Sequence, residues 1–117
     1  MCILRVQETD YQLLIFTGAD PLDPHDDNVD VEVNFSNGER YVATFFTLTN
    51  LETIMNRYSK SGECNNGKYL WATDMVIVRE LTPETIRETV AYMILNDELA
   101  PPFSRVTNDD VSSMVEL

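Results

Sequence analysis

The chain has one histidine, His25, so any catalytic triad or metal cluster that needs two imidazoles is excluded. It has four glycines, Gly18, Gly38, Gly62 and Gly67, each at a turn signal and none in a glycine-rich phosphate loop, so nucleotide chemistry has no support. Basic residues are few and scattered singly: eight Lys and Arg against twenty Asp and Glu leave a formal charge of −12. Without a cationic patch, direct binding of DNA or RNA is not expected. Long apolar runs are missing too. The longest, residues 13–16 and 75–78, are far too short to span a bilayer, and residues 1–7 lack the apolar run and cleavage site of a signal peptide. A soluble, cytoplasmic protein without a membrane partner is therefore expected. Its two cysteines, Cys2 and Cys64, are an ordinary number for free intracellular thiols.

What is abundant is acid, and it is unevenly placed. Residues 1–39 hold nine acids and one base, residues 40–95 hold six of each, and residues 96–117 hold five acids and one base. Such a surplus steers encounters with a basic partner and repels nucleic acid and anionic membrane. Hydrophobic residues make up 44% of the 117, enough for one domain with a real core and too few residues for two.

Residues 3–6 and 11–16 are apolar runs separated by Gln7-Glu8-Thr9-Asp10, which predicts an opening hairpin. Residues 17–28, with Pro21, Pro24, Asp20, Asp23, Asp26 and Asp27, read as an exposed acidic loop. From Val29 the pattern alternates strictly, with Val29, Val31, Val33 and Phe35 on one face and Asp30, Glu32 and Asn34 on the other. Asn37-Gly38 predicts a type I′ turn into a strand at residues 40–48 covered on both faces. The Thr49 and Glu52 spacing predicts a helix start, and Gly62 its stop. Residues 63–68 read as loop, and residues 69–72 and 75–78 as two strands or one bent strand. Thr82-Pro83-Glu84 opens a second helix that runs to about Asn96, with Ile86, Val90, Met93 and Ile94 as its apolar stripe. Pro101-Pro102 ends regular structure, and residues 104–117 read as a docked short helix or a frayed tail. The expected fold is a single α+β domain, an antiparallel sheet of four to six strands with two helices packed on one face.

Candidate chemistry is thin. A set of Cys64, His25 and Asp74 lacks any spacing that would join them, and the aspartates of residues 17–28 miss the alternate ligands, glycine and closing glutamate of a calcium loop. No catalytic residue, metal site or cofactor is expected. Trp71, flanked by Tyr69 and followed by Asp74, has the makings of an interface anchor beside a carboxylate, although a lone tryptophan on a strand more often belongs to the core.

Residues 38–48 (Gly-Glu-Arg-Tyr-Val-Ala-Thr-Phe-Phe-Thr-Leu), residues 69–75 (Tyr-Leu-Trp-Ala-Thr-Asp-Met) and the Thr82-Pro83-Glu84 start resemble small uncharacterised bacterial proteins. Several of these families look like immunity proteins of polymorphic toxin systems: single acidic α+β domains that bind and block a toxin made by the same cell. The resemblance spans roughly residues 29–98, carries no functional residue across, and leaves out the aspartate loop and the acidic tail. It implies a non-catalytic inhibitor of a basic protein partner such as a toxin. From charge and aromatics alone, the partner-binding candidates are Asp20, Asp23, Asp26, Asp27, Asp30, Glu32, Trp71 and Asp74. The same acidity fits a phage-type nucleic-acid mimic that blocks a DNA-binding protein, a small enzyme using Cys64 or a carboxylate pair, or an accessory domain kept in solution by its charge. A homodimer is compatible with all of these.

Overall fold

Alternation dictates the sheet. A computed structural model describes residues 2–107, and in it Val29, Val31 and Val33 point into a buried layer from strand β3 (Asn28–Phe35). Its neighbours are β2 (Tyr11–Thr17) and β4 (Arg40–Thr47), and β1 (Cys2–Gln7) lies outside β2. These four strands form an antiparallel meander, with Ile15 opposite Val31 and Val31 opposite Ala43. The predicted opening hairpin is present. In the β3–β4 turn, only Gly38 takes a left-handed conformation (φ 97°), and Phe35 N–H donates to Glu39 O at 2.8 Å across three loop residues. The connection is thus the three-residue loop with glycine at the left-handed position, not the expected two-residue type I′ turn.

The far edge of β4 is shared. At its carboxyl end, Thr44 to Thr47 pair in parallel with β5 (Met75–Val78), and at its amino end, Arg40 to Val42 pair antiparallel with β6 (Ser104–Val106). This division explains why the strand expected at residues 69–72 does not form: the stretch of β4 it would extend along already belongs to β6. Asp74 turns the chain aside with φ 54°, its carbonyl accepting from Thr44 N–H at 2.8 Å. Trp71, expected more often in a core, is 69% exposed and Tyr69 is 50% exposed. The expected tail at residues 104–117 begins as a paired strand, and residues 108–117 lie outside the described residues.

Helix α1 (Leu48–Ser61) starts two residues before the Thr49 prediction. Thr47, at the end of β4, is already extended, and its hydroxyl accepts from Asn50 N–H at 3.1 Å while donating to His25 O at 2.9 Å. Gly62 ends the helix as expected, with φ 90° and its N–H on Tyr58 O. The segment expected as loop then winds into a short turn, α2 (Glu63–Gly67), with Cys64, Asn65 and Asn66 left-handed. Gly67 closes it against α1 so tightly that a Cβ would stand 2.1 Å from Met55 O. Helix α3 (Pro83–Leu95) has Thr82 as its cap, as predicted.

The core lies on the β3 valine face. Leu13, Ile15, Phe45, Val76 and Val78 meet Ile86 and Val90 of α3 there, together with Leu81, Leu99 and Phe103. Phe103 packs edge-on against Phe45 with ring centroids 5.9 Å apart, which ties the chain following α3 to the sheet centre. Each such side chain contributes roughly 1.5–3 kcal/mol by leaving water. The α+β domain predicted from pattern is the one the structure shows, with α3 on the core face and Ile54 of α1 buried outside that cluster. No helix among the described residues is long and apolar enough to cross a membrane. Cys2 and Cys64 are both free.

Candidate functional site

The opposite face of the sheet is where acids accumulate. Antiparallel pairing sets Phe16, Asp30 and Thr44 in one row across β2, β3 and β4, and Leu14, Glu32 and Val42 in the next. Beyond β4, the turn before β5 adds Thr73 and Asp74. All of these except Leu14, together with Arg40, line a groove of about 430 Å³.

Three carboxylates in it have different surroundings. Glu32, which alternation places facing solvent, is in fact buried, 6% exposed. Leu14 and Val42 flank it in its row, and Arg40 lies over it, with Nε donating to Oε1 at 2.7 Å and Nη2 reaching the same oxygen. A carboxylate so enclosed needs that guanidinium, because an unpaired buried charge is strongly destabilising. Asp30 is exposed and accepts from Thr44 Oγ1 at 2.7 Å. Asp74 is half-buried and accepts from Ser104 Oγ, a bond that links the turn before β5 to the first residue of β6. The groove therefore pairs one neutralised carboxylate with two that are held in place by hydroxyls. Exposed Trp71 stands two residues before its Thr73 wall. Beside it in register, opposite Arg40, the side-chain oxygen of Asn34 is buried with no hydrogen-bond partner among the described residues.

The aspartate loop is a separate construction. Asp23 Oδ1 accepts from His25 N–H at 3.0 Å, and the two oxygens of Asp27 accept from Asp23 N–H at 3.0 Å and Asn28 N–H at 2.9 Å. Asp26 reaches the first turns of α1, accepting from Asn50 Nδ2 at 3.0 Å and Thr53 Oγ1 at 2.9 Å, where the positive end of the helix dipole adds to the attraction. Thr47 N–H to Asp27 O and Leu81 N–H to Pro24 O pin the same loop from two further sides. The loop's acids therefore shape it: Asp23 and Asp27 accept from the loop's own backbone, and Asp26 alone of the four reaches α1. Asp20 alone is exposed with no partner among the described residues.

Of the eight candidates, the structure thus brings Asp30, Glu32 and Asp74 into one groove with Trp71 on the adjoining segment, and it leaves Asp20, Asp23, Asp26 and Asp27 outside its lining. Reading the sequence alone passed over Arg40, Thr44, Phe16 and Ser104. The hairpin register would have placed Arg40 and Thr44 beside the acids, whereas Ser104 comes from a strand no pattern announced. Among the described residues, no three His, Cys, Asp or Glu side chains are grouped to hold a metal ion. Compared with known proteins, the chain matches no family model, no curated protein and no solved structure.

Proposed function

We propose that this protein is a non-catalytic, cytoplasmic binding protein of inhibitor or immunity type, which docks a basic protein partner such as a toxin on the outer face of its sheet and blocks it. The observation that carries this reading is the groove holding Asp30, Glu32 and Asp74 beside exposed Trp71. A lysine or arginine of the partner enters between Asp30 and Asp74, whose carboxylates are oriented in advance by Thr44 and Ser104 and so lose little freedom on binding. The aliphatic stem of that residue lies on Phe16 and Val42, and Trp71 covers the adjoining surface as the apolar anchor. The charge of −12 speeds capture from a distance. A mimic of nucleic acid would present its acids as an extended row, yet the loop aspartates turn inward onto their own backbone and α1.

The test is affinity capture with the wild-type chain, identification of the bound protein, and stopped-flow kinetics with that purified partner. The association rate is expected to fall steeply with added salt, and Trp71→Ala is expected to raise the dissociation rate. A partner whose capture rate ignores salt, or whose affinity ignores both Trp71→Ala and Asp74→Asn, refutes the reading.

A further inference from the structure

We infer that β1 is a dimerisation edge, along which two copies of this chain pair antiparallel about a two-fold axis at Leu4 and join their sheets into one. At the first turn, Glu8 N–H donates to Tyr11 O at 2.9 Å. Bonding alternates along an antiparallel ladder, so Val6, Leu4 and Cys2 exchange bonds with Leu13, Ile15 and Thr17, the residues opposite them. Ile3, Arg5 and Gln7 accordingly aim their N–H and C=O groups away from the sheet. The Cys2 carbonyl, accepting from Thr17 Oγ1 at 3.1 Å, fits that phase. Among the described residues, no strand pairs with this edge.

Soluble proteins blunt such edges with proline, charge, a bulge or brevity. In β1 the only such device is a single charge, Arg5: the strand has six residues and no proline, with Ile3 38% and Leu4 40% exposed on opposite faces. The opposite edge is divided between β6, three residues long, and β5, four residues long and running directly into Arg79 and Glu80. Open backbone groups call for an extended strand, and charge selects which one. Residues 2–7 contain no Asp or Glu in a chain of −12, and β1 is the longest of the edge strands, so two copies can pair along it without setting carboxylates opposite one another.

Geometry then fixes the register. A two-fold axis perpendicular to the sheet keeps every side chain on its own face, so only residues of equal parity stand opposite one another. With Leu4 on the axis, Leu4 meets its own copy and Cys2 meets Val6 on the core face, while Ile3 and Arg5 exchange backbone bonds and pair on the outer face. Moving the axis to Arg5 sets two guanidinium groups opposite each other, an arrangement that costs stability.

This interface is independent of the groove, and salt separates the two. Added salt screens the repulsion between two anionic copies and tightens the dimer, whereas it slows capture of a basic partner. Sedimentation equilibrium of the full chain is expected to pass from 13.4 kDa to twice that mass with concentration, with a dissociation constant that decreases as salt rises. Leu4→Glu, which opposes like charges on the axis, is expected to weaken the dimer at least about tenfold. Arg5→Pro removes an outward N–H and no bond to β2, and is expected to leave a monomer. Hydrogen exchange on the wild type needs no variant to fold: the Ile3 and Arg5 amides are expected to gain protection with concentration. A single-chain mass at every concentration and salt overturns the inference, as does a dimer indifferent to both substitutions. Protection at those amides that dilution leaves unchanged also overturns it, because the edge is then closed within one chain.

Discussion

The aspartate loop and the sheet groove are both acidic, yet they use their carboxylates in opposite ways. In the loop, Asp23, Asp26 and Asp27 accept five hydrogen bonds from neighbouring backbone and from α1, so the charge is consumed in holding an irregular, proline-containing segment in one conformation. In the groove, Asp30 and Asp74 each take one hydroxyl donor and face a concave, partly apolar surface. Net charge therefore marks neither region as a site. What separates them is whether the carboxylates are spent on the loop's own conformation or stand on a concave surface.

That contrast is open to direct attack. The largest effect is expected at the groove's one structural pair: Arg40→Ala strands Glu32 as a buried charge, and urea unfolding should show a loss of about 2–3 kcal/mol, moderated because Arg40 itself is 48% exposed. A loss below half that would mean Glu32 is reached by water and belongs with the groove's open acids. Next comes Asp26→Ala, which removes the acceptor for Asn50 and Thr53 and should cost about 1–2 kcal/mol by the same measurement. Were it neutral in stability and harmful to partner capture, the loop would be the site and the comparison would reverse. Smaller in stability is Asp30→Asn, expected within about 0.5 kcal/mol of wild type because the side chain is exposed. Its effect should appear instead as slower association with the captured partner, the signature of a group aimed outward. The mildest change is Asp20→Asn, which lies outside both constructions and is expected to alter neither melting temperature nor capture beyond the small contribution of one unit of charge.

Period and punctuation made most of the fold legible. The valine alternation of β3, the Asn37-Gly38 turn and the Thr82-Pro83 start are local signals, decided by residues close in sequence, and the structure places those elements where the signals do. Apart from the type of the Asn37-Gly38 turn, the failures share one cause. Residues 69–72 have the composition of a strand, but β6 returns from beyond α3 to occupy the edge they would use, and nothing in Tyr69-Leu70-Trp71-Ala72 encodes that competition. Thr49 and Glu52 have cap spacing, yet Thr47 caps first because β4 ends there and His25 O waits for its hydroxyl. The site was half legible for the same reason. Acids at Asp30 and Glu32 follow from alternation, and Arg40 from the hairpin, whereas burial of Glu32 and the Ser104 contact to Asp74 depend on long-range closure.

Sharing the edge of β4 between β5 and β6 also has a consequence for how the molecule is made. A ribosome delivers β4 about sixty residues before it delivers β6, so the Arg40 end of that strand spends much of translation with its backbone uncovered. The nascent domain must either keep this flank away from other chains or borrow a temporary cover. Phe103 against Phe45 and Ser104 against Asp74 then hold the late-arriving β6 in the sheet and at the groove's wall.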